Sequence, residues 1–383
     1  MNNKFILVNI TIFFFIIFTK LLHAQNSTYY TGGNICSNQP WVLVFDDEFD
    51  GDSLDKSKWI TWFPYSASGN DSCEFCRTHG DDVDQVYLDS NVVVSNGTLK
   101  LIAKKQTATW FTATRDYTSG MIQSRGLWMY GLFEMRCKIP YGEGFDPAFW
   151  LFGGGHGTEI DDFEIGGQRP NYPHMNCLLW GNGKVLSSFG ANYTGVDYSQ
   201  DFHVFSVEWE PFYIIFRIDG NQVFEITRFY TISGDAVTWC CVDAGVYNVQ
   251  PAFPQGENNT PNIIANLGVG NSKTAGTGAP NSSTVFPSQF EIDYIRVYQR
   301  DTSKIIDTDC QVLLFPNPVT NDLFIESNNM TSIKIENVLG QILYSSSLNT
   351  NETEVNVSTY GKGVYIVIVQ TSNGVLVNKF IKY

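Results

Sequence analysis

"YIIFRIDGNQVFEI", residues 213 to 226, decides the fold. Apolar and polar side chains alternate on both sides of Asp219-Gly220, a pair that favours a two-residue hairpin turn. A period of two with such a turn predicts two antiparallel strands. The same alternation runs through "NGTLKLIAKK" (96 to 105), "YGLFEMRCKIP" (130 to 140), "FHVFSVEWEP" (202 to 211) and "QFEIDYIRVYQR" (289 to 300). No long amphipathic helix interrupts them. So many alternating strands over one stretch imply an all-β protein, two antiparallel sheets packed as a sandwich or jelly roll.

Beyond this block, "DTSKIIDTDC" (301 to 310) reads as a linker. From about residue 312, "LFPNPVTNDLFIE", "SIKIENVLGQILYSS" and "GVYIVIVQTSNGVLVNKFIKY" form a second run of short strands, enough for a small β-sandwich. The expected boundaries are therefore 28–300 for the large domain, 301–311 for the linker and 312–383 for the small one.

Composition narrows the partners. A net charge of −15 and a pI near 4.7 argue against nucleic acid or an anionic membrane. At the N-terminus, Lys4 precedes the apolar run "FILVNITIFFFIIF" (Phe5 to Phe18), and Leu22 and Ala24 suit the −3 and −1 positions of a cleavage site. Residues 1–24 read as an export signal, since the run is shorter than the ~20 residues of a spanning helix. Eight cysteines in an exported chain predict one or two disulfides that staple loops. Cys73-Glu-Phe-Cys76 would make half a zinc site, but no second CxxC or paired His completes one.

The chemistry concentrates in "GTEIDDFEIGG", residues 157 to 167, where Glu159, Asp161, Asp162 and Glu164 fall within six positions. In a regular strand Glu159 and Asp161 share a face, and Glu164, five positions on, points the other way. One extra residue, a β-bulge near Asp162 and Phe163, would return Glu164 to the first face. Two glutamates about 5–5.5 Å apart across a sugar are what a retaining glycosidase requires. An acid group between them pushes their pKa values apart and keeps one protonated. Tryptophans surround the stretch: Trp150 immediately before it, and Trp128, Trp180 and Trp209 in flanking strands. Trp150 is expected in a sugar cleft, and Gly153 to Gly155 would keep the intervening turn narrow. His156 and His174 read as structural or rim residues, because the mechanism already has its acid and base. Two other classes compete: a glycan-binding module without catalysis, and an adhesin whose acidic strand holds calcium.

Together these segments resemble glycoside hydrolase family 16, the laminarinase-like branch with a bulged ExDxxE motif. The resemblance runs from about residue 38 to 300 through "VLVFDDEFDG", "SGMIQSRGLWMYGLFEMRCKIP", "PAFWLFGGGHGTEIDDFEIGG", "NIIANLGVGN" and "FEIDYIRVYQ". It implies a concanavalin-like jelly roll and a secreted endo-acting, retaining β-glycanase. The expected substrate is a β-1,3-glucan of the laminarin type, with an agar-like β-galactan as the alternative. It assigns Glu159 as nucleophile, Asp161 as the intervening acid and Glu164 as acid/base. Trp128 and Trp150 become aromatic walls beside the cut, with Trp180 and His174 also expected at the substrate. No cofactor is required, although many relatives carry a structural calcium, for which Glu48, Gly97 and Asp293 stand at the matching positions. Family members usually have an apolar residue in place of Asp162, and "SGNDSCEFCRTHGDD" (68 to 82) fits no family pattern. Residues 312–383 resemble a type IX secretion sorting domain. Its implied partner is the export machinery, its implied destination the cell surface or medium, and the protein is expected to act as a monomer.

Overall fold

The computed structural model describes residues 40–300 and 312–383, apart from 67, 81–82, 154–157, 182–183, 211–212, 227–228, 234–235, 240–249, 252–259, 273–276 and 373. The expected export signal, the linker, His156, Gly154 and Gly155 lie outside the described residues. Two compact units are present.

The large unit is built from two eight-stranded sheets. In the first, the hairpin strands Tyr213–Ile218 and Asn221–Ile226 stand at one edge. His203–Glu210, Gly131–Lys138 and Ser288–Arg300 follow in order, then the hairpin formed by Thr98–Ala103 and Val92–Ser95. Trp41–Asp47 also pairs with Ser288–Arg300. Ile218 pairs with Asn221, leaving the two-residue turn Asp219-Gly220, both with positive φ, 50° and 77°. Aspartate tolerates that left-handed region and glycine favours it. The Asp219 carboxylate further accepts the Val204 N–H at 2.9 Å, locking the turn to the neighbouring strand.

The second sheet carries Lys184–Ser188, His174–Gly181, Thr158–Glu164, Phe145–Phe152, Asn262–Val269, Met121–Ser124 and Trp59–Ile60 in that order, and Ala191–Asn192 also pairs with His174–Gly181. Alternation sorts its side chains. Phe149, Leu151, Ile160, Phe163, Ile263 and Ala265 join Phe133, Met135, Val207 and Val297 of the first sheet in one buried core. Each of these side chains other than Ala265 contributes about 1.5–3 kcal/mol of burial. The outward residues Ala148, Trp150 and Ile264 belong to a separate cluster with Met121, Phe63 and Tyr87. That second cluster exists because the segment after Trp59–Ile60 lies over this part of the sheet.

The segment is pinned from several sides. Cys73 and Cys76 form a disulfide, as expected for a loop staple, while Cys137 and Cys177 are free and buried. Arg77, almost fully buried, pairs with Asp71 and Asp89 at 2.9 Å each. It also donates to the Tyr87 carbonyl and lies over the rings of Trp62 and Trp110.

In the small unit the strands are Leu313–Phe315, Asp322–Asn337, Ile342–Asn356, Gly363–Thr371 and Gly374–Lys382. Hydrogen bonds connect all five, because the long strand Asp322–Asn337 serves both halves of the unit, its register breaking between Glu326 and Ser332. Leu323, Ile325, Ile333, Val355, Val367 and Phe380 share its core.

Candidate active site

Strand pairing around the acidic stretch contains one residue too many. On one side Phe152 pairs with Glu159, Trp150 with Asp161, Phe149 with Phe163 and Ala148 with Glu164, so Asp162 has no counterpart. On the other side Asp161 pairs with Asn176 and Glu164 with His174, leaving two residues opposite Met175 alone. The bulge therefore falls where the sequence spacing required it. Glu159, Asp161 and Glu164 share the face turned away from the core, in line with His174, Asn176, Leu178 and Trp180 of the next strand.

The three carboxyls perturb one another. Loss of hydration raises the Glu159 pKa to about 7, and the nearby Glu164 charge adds to the rise. Hydrogen bonds from the Trp180 indole and from Asp161 work in the opposite direction. Asp161, 3% exposed, is held far above the usual carboxylate range by burial and by both glutamates. It keeps its proton and donates it toward Glu159. Glu164 stands at the open side of the site, yet lost hydration raises its carboxyl too. One proton donor between two glutamates of different environment is the division that acid/base work needs.

The tryptophans divide. Trp180 reaches the site, its Nε1 donating to Glu159 Oε2 and its ring 6.0 Å from Phe152. Trp150 does not present a free face. Although it points outward from the sheet it is 7% exposed, covered by Phe63 and His79 at 6.2 and 5.9 Å and tied to Asn266 through Nε1. The sequence reading saw the sheet position but not the segment that lies over it. Trp128 is half-buried: its backbone N–H bonds the Pro261 carbonyl, and its ring packs on Phe45, 4.8 Å away, at the edge of the sandwich core. Gly126 beside it leaves room for that ring. Trp209 is wholly buried.

On the Glu164 side a cavity of about 310 Å³ opens, lined by Asp146, Arg169, Tyr172, His174, Asn192 and Thr277 among others. His174 takes a rim position there, its Nδ1 3.2 Å from Asn192 Oδ1. The Arg169 guanidinium lies over the Tyr172 ring at 4.1 Å. Arg169, Tyr172, Asn192, Tyr65 and Phe152 were not singled out from sequence. Their spacing carries no pattern, since separate loops and strands bring them together.

Residues 79–250 match the family model described as glycosyl hydrolases family 16. The chain carries a family 16 glycosyl hydrolase domain. Residues 313–383 match the secretion system C-terminal sorting domain. Over 273 residues the chain is 30% identical to the glucan endo-1,3-beta-glucosidase A1 of Niallia circulans, an alignment covering 67% of this chain and 38% of that protein. The chain thus spans well under half the length of that relative. A glucan endo-1,3-beta-glucosidase of Cryptopygus antarcticus is 29% identical over 269 residues, 67% of this chain and 91% of its own. The endo-beta-1,3-glucanase structure from Pyrococcus furiosus superposes with a TM-score of 0.54 at 29% identity, covering 68% of this chain and 95% of that one.

Asp162 stands where the family resemblance leads one to expect an apolar residue. The bulge does turn it away from the other three carboxyls, but not into solvent. It is 3% exposed, on the core side, and its Oδ2 has no hydrogen-bond partner. Burial, and secondarily Glu134, holds its pKa well above the usual range, so it is a neutral acid in the core.

The positions matched to a structural calcium do not fit one as side-chain ligands. Both Glu48 oxygens are taken by Arg296, at 2.7 and 2.8 Å, and Asp293 is paired with Arg136 at 2.5 Å. A guanidinium on each carboxylate opposes a dication that needs six to eight oxygens. Gly97 serves a turn, with φ of 72°. Among the described residues no group of three or more His, Cys, Asp and Glu is placed to hold a metal.

Proposed function

We propose that the protein is an endo-acting β-1,3-glucan hydrolase that retains anomeric configuration and is exported by type IX machinery as a monomer. The observation that carries the mechanism is the bulge at Asp162, which brings Glu164 onto the face of Glu159 and Asp161. Glu159 attacks the anomeric carbon while Glu164 protonates the departing glycosidic oxygen. A glycosyl ester forms on Glu159, and Glu164, now a carboxylate, takes a proton from the water that cleaves it. The Asp161 proton and the Trp180 N–H hold the Glu159 anion in position, which offsets the burial that would protonate it. The glucan and its linkage rest on the names of the relatives and on the aromatic residues around Glu159.

Product analysis on laminarin, lichenan, agarose, porphyran and carrageenan tests this reading. Release of a ladder of short oligosaccharides from laminarin is expected. Release from agarose but not laminarin would replace the glucan by a galactan. Binding to laminarin with no reducing ends released over long incubation would remove the hydrolase reading altogether.

A further inference from the structure

The residues just before the stretch 68 to 82, and the disulfide-stapled turn within that stretch, have a place in the site. Sugar attacked by Glu159 must lie beside Glu159, so side chains flanking that carboxylate meet the glycone portion of the chain, while those in the Glu164 cavity meet the leaving portion. On the Glu159 side the sheet's own indole, Trp150, is withdrawn beneath Phe63 and His79. Phe63 is itself fully buried. Stacked on Phe63, with ring centroids 5.2 Å apart and planes within 9°, is Tyr65, which is 43% exposed. The three rings form a ladder from Trp150 through Phe63 to Tyr65, and only the last offers a free face. Beside Glu159 stand Trp180, which donates to it, and Phe152, its cross-strand partner.

We propose that Tyr65 is the platform on which the glycone sugar next to Glu159 stacks, and that the stapled segment presenting it sets glycone specificity. The ring position follows from a rigid support. The Cys73–Cys76 disulfide, the buried Arg77 with its two aspartates, and the Trp110 indole donating to the Cys73 carbonyl at 2.9 Å leave the segment little freedom. Adjacency follows from the ladder itself: Trp150 at its foot pairs across the strands with Asp161, which shares a face with Glu159, and burial first, then the Glu159 charge, raises the Tyr65 phenol. The phenol therefore keeps its proton throughout the working range and can donate to a sugar hydroxyl while the ring covers the sugar's C–H face.

The inference rests on the family 16 hydrolase reading but not on the choice of glucan. Tyr65→Ala, Tyr65→Phe and the paired Cys73→Ser, Cys76→Ser variant are assayed on whichever polysaccharide of the panel the wild type hydrolyses. Affinity electrophoresis of Glu164→Gln carrying the same changes, in gels containing each polysaccharide, reads binding even without turnover. Tyr65→Ala is expected to lower kcat/KM about tenfold, mostly through KM, with an unchanged unfolding temperature. Tyr65→Phe keeps most of the activity, and the serine pair falls between. Tyr65→Ala with wild-type kcat/KM and wild-type gel retardation would overturn the proposal. So would a loss of kcat that tracks a lowered unfolding temperature and is shared by Tyr65→Phe.

Discussion

The Nε1–H of Trp180 points at Oε2 of Glu159 from the neighbouring strand, two residues along from Leu178, the cross-strand partner of that glutamate. This contact lowers the Glu159 pKa against a larger rise from burial. Trp180→Phe removes the donor and keeps a ring. The Glu159 pKa then moves up from about 7 by roughly one unit, the equivalent of one hydrogen bond to a charged group. Because the proposed attack by Glu159 needs the anion, the acid limb of the kcat/KM profile is expected to shift to higher pH, with lower activity below it. A profile that stays in place would separate Trp180 from the nucleophile.

In the proposed mechanism Glu164→Gln removes the proton donor and the later base. Laminarin, whose leaving sugar needs protonation, is expected to lose activity by about 10²–10⁴-fold. An aryl glycoside with a good leaving group loses much less in the first step and accumulates a glycosyl-enzyme. Mass spectrometry of the quenched protein would detect that adduct on the peptide containing Glu159. Equal losses on both substrates would argue against an acid role for Glu164.

Asp162→Val replaces a buried acid that has an unpaired oxygen. An aspartate in the unfolded chain titrates near about 3.9, while in the folded protein it does so far higher. Below the lower value both states are protonated and no pH-dependent difference exists. As pH rises through and beyond it, only the unfolded state ionises, so the wild type loses stability. The variant is expected to be more stable by about 1–3 kcal/mol from the unpaired group alone, with the gap widening toward neutral pH. Urea unfolding at pH 4 and pH 7 measures it.

The acidic strand was legible because its spacing, Glu-x-Asp-x-x-Glu, is inconsistent with a regular strand unless one residue bulges. Strand positions and the Asp219-Gly220 turn were legible because burial and turn geometry act on near neighbours. Trp150 was not. Its register fixed the face it occupies, but whether that face was open depended on Phe63 and His79, about eighty residues away. The setting of Asp162 was hidden for a related reason: the spacing requires a bulge but does not say which way the extra residue turns, and this one buries both Asp162 and Phe163. The calcium positions were located through resemblance, and only the arginines opposite them, Arg136 and Arg296, show that their carboxylates are already engaged.

Trp150→Ala distinguishes support from platform. A buried indole exchanged for a methyl is expected to cost about 3–5 kcal/mol of stability. The KM measured on the folded protein should change less than for Tyr65→Ala. A variant of wild-type stability with a strongly raised KM would return Trp150 to the cleft wall.

The central claim is that Glu159 and Glu164 act in turn on one sugar, the first by covalent attack. Proton NMR of the earliest laminarin products, recorded before mutarotation, reads the anomeric configuration directly. The β anomer is expected to appear first and the α anomer only later. Initial appearance of the α anomer would mean a single displacement by water and would contradict covalent attack by Glu159.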